Sequence, residues 1–284
     1  MSGTDERVAL VTGTSSGFGR HASVDLARAG FRVVATMRNL AKQQPLLDDA
    51  ARHGVELDVT RLDVTEAASI AAATRHVEER YGRLDVLVNN AGYGLIGAVE
   101  DTPADALRAQ LETNVVGLVE VTRSFLPMMR ARRTGRIINV SSMGGRTTFP
   151  GFAPYHASKF AVEGLTEAME FELAPFGIQV VLVEPGAFGT EFDRGSMVRM
   201  ARDGSPYRPI LDNMDARMSR FRFLAQDPRA VSRVIVKAAS ARRPRLRYPV
   251  GIDARFILLA RPFTPWRIWH WLNARMVGVP FRLG

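Results

Sequence analysis

A tyrosine and a lysine four residues apart are the pair in this sequence best suited to proton transfer. Tyr155 and Lys159 follow Pro154 at the start of a predicted helix, where residues i and i+4 share one face. A phenol titrates at about pH 10, and a nearby ammonium lowers that pKa because it favours the phenolate. Such a pair could give a proton to a carbonyl oxygen or take one from an alcohol.

Lysine is scarce in this chain, which makes the position of Lys159 informative. The only other lysines are Lys42 and Lys237, against 35 arginines. A guanidinium does not replace a compact ammonium in a tight site, so a lysine at this spacing suggests chemistry. A tyrosine and a lysine at this spacing also arise by chance, and by themselves they are more often a surface pair.

Two serines and an asparagine could complete a site with this pair. Ser141 and Ser142 end a predicted strand thirteen or fourteen residues before Tyr155, and one of them could donate a hydrogen bond to a substrate oxygen. Equally, both could cap a turn. Asn114 lies inside a predicted helix, although asparagine is a mediocre helix former. It could kink that helix and bind a water behind Lys159, or it could face solvent.

A glycine-rich turn follows the first predicted strand. Gly13 allows a tight turn, Gly17 lets the backbone approach a pyrophosphate, and Gly19 lets the next helix pack closely. The spacing G-x-x-x-G-x-G differs from the commoner G-x-G-x-x-G, and a plain structural turn is the alternative. The same turn also satisfies G-x-S-x-G around Ser15, the motif of a serine hydrolase. A hydrolase also needs a later acid and histidine, and none of the five histidines is well placed for this role.

The end of the second predicted strand favours NADP(H) over NAD(H). An NAD site places an acid there for the ribose 2′-hydroxyl, and this sequence has none. Arg38 stands there instead and could bind a 2′-phosphate, with a hydroxyl added by Ser15 or Ser16. The alternative is that Arg38 is simply solvated.

These residues fall at the ends of strands in an alternating β and α pattern. Strands are predicted at 8–12, 31–36, 57–62, 84–88, 136–140 and 178–183. Helices are predicted at 18–29, 65–81 and 155–174, and one long or broken helix at 103–130. Continuous apolar strands between helices predict a doubly wound parallel sheet buried on both faces. Ligands bind such sheets at the carboxyl ends of the strands, where the motifs lie.

Composition narrows the remaining possibilities. The chain has 284 residues and no cysteine, which excludes disulfides, thiolate metal sites and cysteine nucleophiles. From residue 241 onward there are nine arginines and one acid, Asp253, a net charge of +8 out of the whole chain's +9. The main body is therefore nearly neutral, and we expect no nucleic-acid partner. The N-terminus does not read as a signal peptide, so we expect a cytoplasmic protein.

As a set, the motifs resemble the short-chain dehydrogenase/reductase family. The resemblance covers about residues 5 to 195, and its motifs occur in the family's order and at the family's spacing. They are the turn at 12–19, Asp63-Val64, Asn89-Asn90-Ala91-Gly92, Asn114, Ser142, Tyr155, Lys159, Pro185-Gly186 and Thr190. Departures are small: Phe18 stands where isoleucine is common, and Gly189 precedes Thr190.

The resemblance implies a fold and a role for each residue. It implies a Rossmann-like three-layer α/β/α domain with strand order 3-2-1-4-5-6-7, over residues 1–250, and a C-terminal extension over 251–284. The implied catalytic residues are Asn114, Ser142, Tyr155 and Lys159. The implied NADP(H)-binding residues are Gly13, Ser15, Ser16, Gly17, Phe18, Gly19, Arg38, Asp63, Val64, Asn90, Ala91, Gly92, Tyr155, Lys159, Pro185, Gly186 and Thr190. No metal is implied.

Within those sets, the family assigns finer roles. Asp63 would meet the adenine amine, Asn90 the cofactor ribose, and Lys159 the nicotinamide ribose. Pro185, Gly186 and Thr190 would seat the nicotinamide, and Asn114 would complete a proton relay through water. The family usually forms dimers or tetramers, so we expect a homo-oligomer.

Several strings resemble the 17β-hydroxysteroid and retinol dehydrogenase branch, which implies a large apolar substrate. They include NAGYG and ASKFAVEGLTEAME. We expect substrate contacts from a loop at about 187–226 and from Tyr93. That loop contains Met197, Met200, Met214, Met218, Phe221 and Phe223, which suit an adaptable apolar lid or an ordinary helix core.

The C-terminal segment is basic and aromatic, and its role is open. No apolar run reaches the roughly 18 residues needed to span a bilayer. The segment could lie peripherally on a membrane surface, cover the substrate pocket or contact a neighbouring subunit. A non-catalytic NADP-sensing or scaffold protein of the same fold is the remaining alternative. The intact proton-transfer residues argue against it.

Overall fold

A seven-stranded parallel sheet forms the centre of the protein. The computed structural model describes residues 6–188, 197–200, 202–220 and 226–279, without the side chains of 217–220, 276 and 277. The strands are β1 (Val8–Thr12), β2 (Arg32–Met37), β3 (Asp58–Arg61), β4 (Val86–Asn89), β5 (Gly94–Ile96), β6 (Gly135–Val140), β7 (Ile178–Pro185), β8 (Met197–Arg199) and β9 (Arg247–Val250). The sheet order β3-β2-β1-β4-β6-β7-β9 confirms the predicted doubly wound topology.

Helices cover both faces of this sheet. They are α1 (Gly17–Arg28), α2 (Gln44–Arg52), α3 (Ala67–Tyr81), α4 (Ala104–Leu111), α5 (Gly117–Ala131), α6 (Ala153–Leu173), α7 (Arg208–Arg220), α8 (Arg229–Ser240), α9 (Ile252–Ala260) and α10 (Trp266–Val277). The result is the expected three-layer α/β/α arrangement.

The strand β1 shows how the two faces are filled. All five of its residues are buried, and alternate side chains enter different hydrophobic clusters. Ala9 and Val11 pack in the cluster that holds α1 and α8, whereas Val8 and Leu10 pack in the cluster that holds α3 and α5. This burial on both sides explains why the strand reads as a continuous apolar run rather than an alternating one.

Two features of the fold were not predicted. The short strands β5 and β8 form a separate two-stranded parallel sheet. The helices α2 and α8 lie where the sequence pattern gave no helix. The segment 103–130, expected as one long or broken helix, is broken by a π turn at Glu112–Val116 between α4 and α5. A π turn adds one residue to a helical turn and rotates the side chains that follow, which a strict 3.6-residue period does not anticipate.

The last strand is joined to the rest of the domain by a buried ionic cluster. Arg247 on β9 bonds Glu163 and Glu167 of α6, and it bonds Glu184 of β7 at 2.6 Å. Burial and the charge of Glu163 raise the pKa of Glu184, and Arg247 opposes that rise. One guanidinium therefore compensates carboxylates from two other elements.

The helices at the C-terminal end are amphipathic rather than membrane-spanning. In α9, Ala254 and Leu258 are buried, and α10 contacts α7 and buries Ala274. Among the described residues, no helix combines the length and apolarity needed to cross a lipid bilayer.

Replacing Arg247 should destabilise the fold strongly. Arg247→Met leaves Glu163 and Glu184 buried without their shared hydrogen-bonded cation, and of the described arginines only Arg146 remains near Glu184, with 3.5 Å between Nη1 and Oε1. We therefore expect a loss of about 3–5 kcal/mol in the free energy of unfolding. Urea denaturation followed by circular dichroism measures it. The matched control is Arg243→Met, because Arg243 is exposed and forms no ion pair among the described residues. Equal stability of the two variants would contradict this account of the cluster.

Candidate active site

The predicted site residues gather along one edge of the sheet. The turn at 12–19 follows β1, Asn90 to Gly92 follow β4, Ser142 follows β6, and Pro185 ends β7. These four strands are adjacent and parallel, so their carboxyl ends meet at the same edge. Thr190 lies outside the described residues.

The glycine turn is packed against the loop after β4. Gly13 has a φ of +72°, and a Cβ there would lie 2.8 Å from the Cα of Ala91. A Cβ on Gly19 would overlap the side chain of Asn90 and the carbonyl of Gly13. Asn90 Nδ2 donates to the carbonyls of Thr12 (2.9 Å) and Gly13 (3.0 Å). The glycines are thus required by backbone conformation and by the close approach of α1.

Arg38 and Asp63 come just after the neighbouring strands β2 and β3. Arg38 follows β2, is exposed and forms no ion pair among the described residues. Its charge reaches Tyr93, where it partly opposes the rise in phenol pKa that burial causes. Asp63 Oδ1 accepts hydrogen bonds from Thr65 N (3.0 Å) and Thr65 Oγ1 (2.8 Å), and the adjacent Val64 is buried.

Lys159 is buried beneath Tyr155 in the first turns of α6. Its Nζ donates to the carbonyl of Val140, the last residue of β6, at 2.9 Å. The same Nζ lies 5.8 Å from the centroid of the Tyr155 ring, and Tyr155 is half-buried. Burial lowers the pKa of Lys159 to about 8, and the carboxylate of Glu163 opposes that effect. The ammonium therefore acts on the phenol through a medium with little water, where its field is stronger than at the surface.

Ser142 caps a turn, which was one of the two alternatives from the sequence. Its Oγ accepts a hydrogen bond from Gly144 N at 3.0 Å, at the start of a 3₁₀ turn over Met143–Gly145. This cap uses a lone pair and leaves the hydroxyl hydrogen available for donation. Ser142 is half-buried, whereas the Oγ of Ser141 is buried and has no partner among the described residues.

Asn114 lies in the π turn and is buried, so the alternative that it faces solvent is wrong. Its Oδ1 accepts from Tyr93 N (3.0 Å), and its Nδ2 donates to Tyr93 O (2.9 Å) and Ser158 Oγ (3.0 Å). Ser158 in turn donates to the carbonyl of Tyr155 at 2.7 Å. Asn114 thus connects the loop after β4 to the turn of α6 that carries Tyr155. A π turn at a site of this kind is a common arrangement.

His156 has a positioning role that the sequence did not reveal. Its Nδ1 donates to Gly144 O at 2.8 Å and its Nε2 accepts from Phe149 N at 2.9 Å. Burial lowers the pKa of the imidazole, which matches a neutral ring that donates at one nitrogen and accepts at the other. The ring holds the segment 142–149, which begins with Ser142, against α6 through Gly144 and Phe149. The sequence carries no signal for contacts seven and twelve residues away.

The turn after β7 is held by the C-terminal region. Asp253 Oδ2 accepts from Ala187 N at 2.6 Å, and Oδ1 accepts from Gln226 Nε2 at 2.9 Å. A Cβ on Gly186 would overlap the Asp253 carboxylate. Phe18 packs edge-on against Phe188 with ring centroids 5.6 Å apart. The only acid after residue 241 therefore points inward, toward Pro185-Gly186.

Tyr155 packs against an apolar cluster. Its buried members are Ile96, Phe152 and Met214, and packed against them are Phe149, Tyr155, Met197, Ile210, Leu211 and Val279. Trp269 of α10 contacts Phe149 with ring centroids 6.4 Å apart. Met197 and Met214 of the expected substrate loop belong to this cluster. Phe221 and Phe223 lie outside the described residues, as does the side chain of Met218.

Known proteins are similar to this chain along most of its length. A family model described as short chain dehydrogenase matches residues 7–199. The chain is 40% identical to 17-beta-hydroxysteroid dehydrogenase type 1 of Homo sapiens, over 89% of this chain and 80% of that protein. The crystal structure of a short-chain dehydrogenase from Streptomyces avermitilis superposes with a TM-score of 0.83 at 34% identity and covers 98% of both chains. The structure of an actinorhodin polyketide ketoreductase with NADPH gives a TM-score of 0.71 at 33% identity, over 88% of this chain and 98% of that one.

The buried state of Lys159 can be measured directly, because the chain has only three lysines. In protein labelled with ¹⁵N-lysine, we expect one side-chain signal to titrate at about pH 8, protonated below that pH and neutral above it. Lys159→Met should remove that signal. Glu163→Gln should move its midpoint to lower pH, because the Glu163 carboxylate favours the ammonium. A midpoint that stays near the pKa of an exposed lysine would show that Lys159 is solvated.

Proposed function

The chain belongs to the short-chain dehydrogenase family, and we propose that it is an NADP(H)-dependent enzyme that interconverts an apolar ketone or aldehyde and its alcohol. The observation that carries the proposal is the buried ammonium of Lys159 beneath Tyr155, bonded to Val140 at the carboxyl end of β6. A buried lysine beside a phenol costs free energy and serves no packing purpose. Its use is to make the phenol a proton donor and acceptor near neutral pH.

In the proposed reaction Tyr155 transfers the proton. In the reductive direction its hydroxyl gives a proton to the carbonyl oxygen as that oxygen becomes an alcohol, and in the oxidative direction it takes the proton back. The ammonium of Lys159 stabilises the phenolate that remains. The hydroxyl hydrogen of Ser142 donates to the same substrate oxygen and holds it toward Tyr155. NADP(H), when bound, supplies or accepts the hydride.

Asn114 and His156 position these groups rather than react. Asn114 fixes the turn of α6 that carries Tyr155 through Ser158, and His156 fixes the segment that begins with Ser142. A water-mediated relay through Asn114 would add proton exchange with solvent. The direct bonds of Asn114 to Tyr93 and Ser158 support a structural contribution besides any such relay.

The chain's residues fit NADP(H). The glycines of the turn bring backbone N–H groups of α1 toward a pyrophosphate, with Ser15 and Ser16 half-buried beside them. Arg38 would bind the 2′-phosphate, and Asp63 and Val64 would meet the adenine. Asn90, Ala91 and Gly92 would lie along the ribose, and Pro185 and Gly186 would meet the nicotinamide. The similar ketoreductase that carries NADPH supports this choice of cofactor.

An apolar substrate is supported by the side chains around Tyr155. Ile96, Phe149 and Phe152 offer hydrocarbon and aromatic surface, and Met197 and Met214 can adapt to a ligand's shape. The related 17-beta-hydroxysteroid dehydrogenase type 1 is named for a steroid of this apolar kind. We therefore propose a steroid-, retinoid- or lipid-like carbonyl compound.

The two other functions have less support. A serine hydrolase with Ser15 needs an acid and a histidine, but His156 uses both ring nitrogens on backbone groups. His76 and Asp58 do form a histidine–carboxylate pair, at 2.7 Å, but this pair joins α3 to β3. A non-catalytic NADP sensor could use Lys159 to bind the cofactor, but it would not need the complete proton-transfer set of Asn114, Ser142, Tyr155 and Lys159.

Removing the phenol hydroxyl should abolish turnover but not cofactor binding. We expect Tyr155→Phe to lower kcat by roughly 100- to 10,000-fold, because it removes the general acid and base. NADPH oxidation with a panel of apolar ketones measures kcat, and quenching or enhancement of NADPH fluorescence measures binding. Tyr81→Phe is the matched control. Tyr81 ends α3, and its hydroxyl donates to Asp58 of β3 rather than to a residue of the site. Full activity of Tyr155→Phe would remove Tyr155 from the proton transfer, whereas NADPH binding without turnover by the unmodified chain would favour the sensor or scaffold alternative.

Replacing Arg38 should change cofactor preference. Arg38→Ser removes a charge-assisted contact to a 2′-phosphate, so we expect the Kd for NADPH to rise roughly 10- to 100-fold while the Kd for NADH stays constant. Fluorescence titration with both cofactors measures this. Arg75→Ser is the control, because Arg75 is exposed on α3 and forms no ion pair among the described residues. An unchanged ratio of the two Kd values would remove Arg38 from the cofactor site.

A further inference from the structure

The helix α9 and the turn after it carry large apolar side chains on their outer face. Ile252, Phe256, Leu259 and Phe263 are 80%, 73%, 72% and 84% exposed. Their spacing of four, three and four residues places them in one line along a helix. We call these four residues the apolar stripe. Single exposed apolar residues are ordinary in proteins, but an aligned set of this size marks an interaction surface.

The stripe belongs to a well-anchored helix. The opposite side of α9 is packed, with Ala254 fully buried and Leu258 at 5% exposure. Asp253 in its first turn bonds Ala187 N and Gln226. The helix therefore has a fixed orientation, and the apolar stripe faces away from the domain.

The charge around the stripe is positive. Arg255 on α9 and Arg267 in the first turn of α10 are exposed and form no ion pair among the described residues. The same holds for Arg242, Arg243, Arg245 and Arg275. Arg247 bonds Glu163, Glu167 and Glu184, and Asp253, the one acid of the segment, points inward. The segment after residue 241 thus presents cations and apolar groups to the outside, which fits an anionic partner.

A second copy of this chain fits the stripe less well. A twofold interface brings the same patch of both subunits together. Here that would place unpaired arginines of one subunit against those of the other, and like charges at an interface cost free energy. A partner surface with negatively charged groups above an apolar layer would complement both the arginines and the apolar stripe.

We propose that the apolar stripe, with Arg255 and Arg267, docks this protein on the surface of an anionic lipid bilayer. The side chains of the stripe enter the boundary between headgroups and acyl chains, while the arginines contact lipid phosphates. The helix lies in the plane of the surface and does not cross the bilayer. This docking does not depend on the proposed reaction.

The location of the segment gives the docking a use. The helix α10 follows α9 after one short turn, and its Trp269 contacts Phe149 of the apolar cluster around Tyr155. A docked α9 would therefore hold the substrate side close to the bilayer. On the proposed function, an apolar substrate dissolved in lipid would reach the site without crossing water.

Vesicle flotation tests the proposal with the full chain. The vesicles are pure phosphatidylcholine, or a two-to-one mixture of phosphatidylcholine and phosphatidylglycerol. We expect binding to the anionic vesicles, weak binding to neutral ones, and release at high salt. Phe256→Ser with Leu259→Ser should lower the partition coefficient at least about tenfold, since two apolar anchors are lost. Arg255→Gln with Arg267→Gln should lower it by roughly 10- to 30-fold.

Matched controls separate docking from general surface effects. Phe171→Ser removes a phenyl group that is 79% exposed on α6, and Arg75→Gln removes an unpaired arginine on α3. Both should bind vesicles like the unmodified chain. Absence of vesicle binding, or equal binding by stripe and control variants, would overturn the proposal. So would a stripe variant that dissociates an oligomer in analytical ultracentrifugation, because the stripe would then be a subunit interface. Ketone reduction in detergent is measured separately, so a failure of either proposal can be told from the other.

Discussion

The burial of one ammonium group is the constraint on which the site depends. An isolated charge removed from water is strongly unfavourable unless polar partners surround it. Lys159 meets this requirement with the carbonyl of Val140 and the carboxylate of Glu163. The bond to Val140 forms only because the carboxyl end of β6 lies against the second turn of α6, which carries Lys159. The sheet and the helix must therefore be in register before the pair of Tyr155 and Lys159 has its properties.

Polar side chains that do not react maintain this register. Asn114, in the π turn, bonds the loop after β4 and Ser158 of α6. His156 bonds two backbone groups of the segment after β6. Each connects a loop at the edge of the sheet to the same helix. A buried polar network of this kind allows few alternative arrangements, because every broken bond leaves a desolvated group without a partner.

The region after β7 connects the domain's edge to its far end. Arg247 places β9 against α6 and β7 through three carboxylates, and Asp253 holds the turn at Gly186 and Ala187. Both contacts use the charged side chains of the basic segment toward the inside. The apolar stripe is exposed, as are Arg242, Arg243, Arg245, Arg255, Arg267 and Arg275. The same segment thus closes the sheet on one side and presents a cationic, apolar surface on the other.

The sequence by itself determined the order of the elements and the chemistry at the sheet edge. Apolar period, glycine positions and the spacing of Tyr155 and Lys159 are local properties, since they depend on residues within one or two helical turns. The missing acid after β2 is local in the same sense. Only the tertiary structure decided that Lys159 is buried, that Asn114 faces inward and that α9 points its apolar residues outward. The bonds of Asn114 and the contacts of Arg247 join residues 21 to 84 positions apart, and a linear pattern carries no record of them.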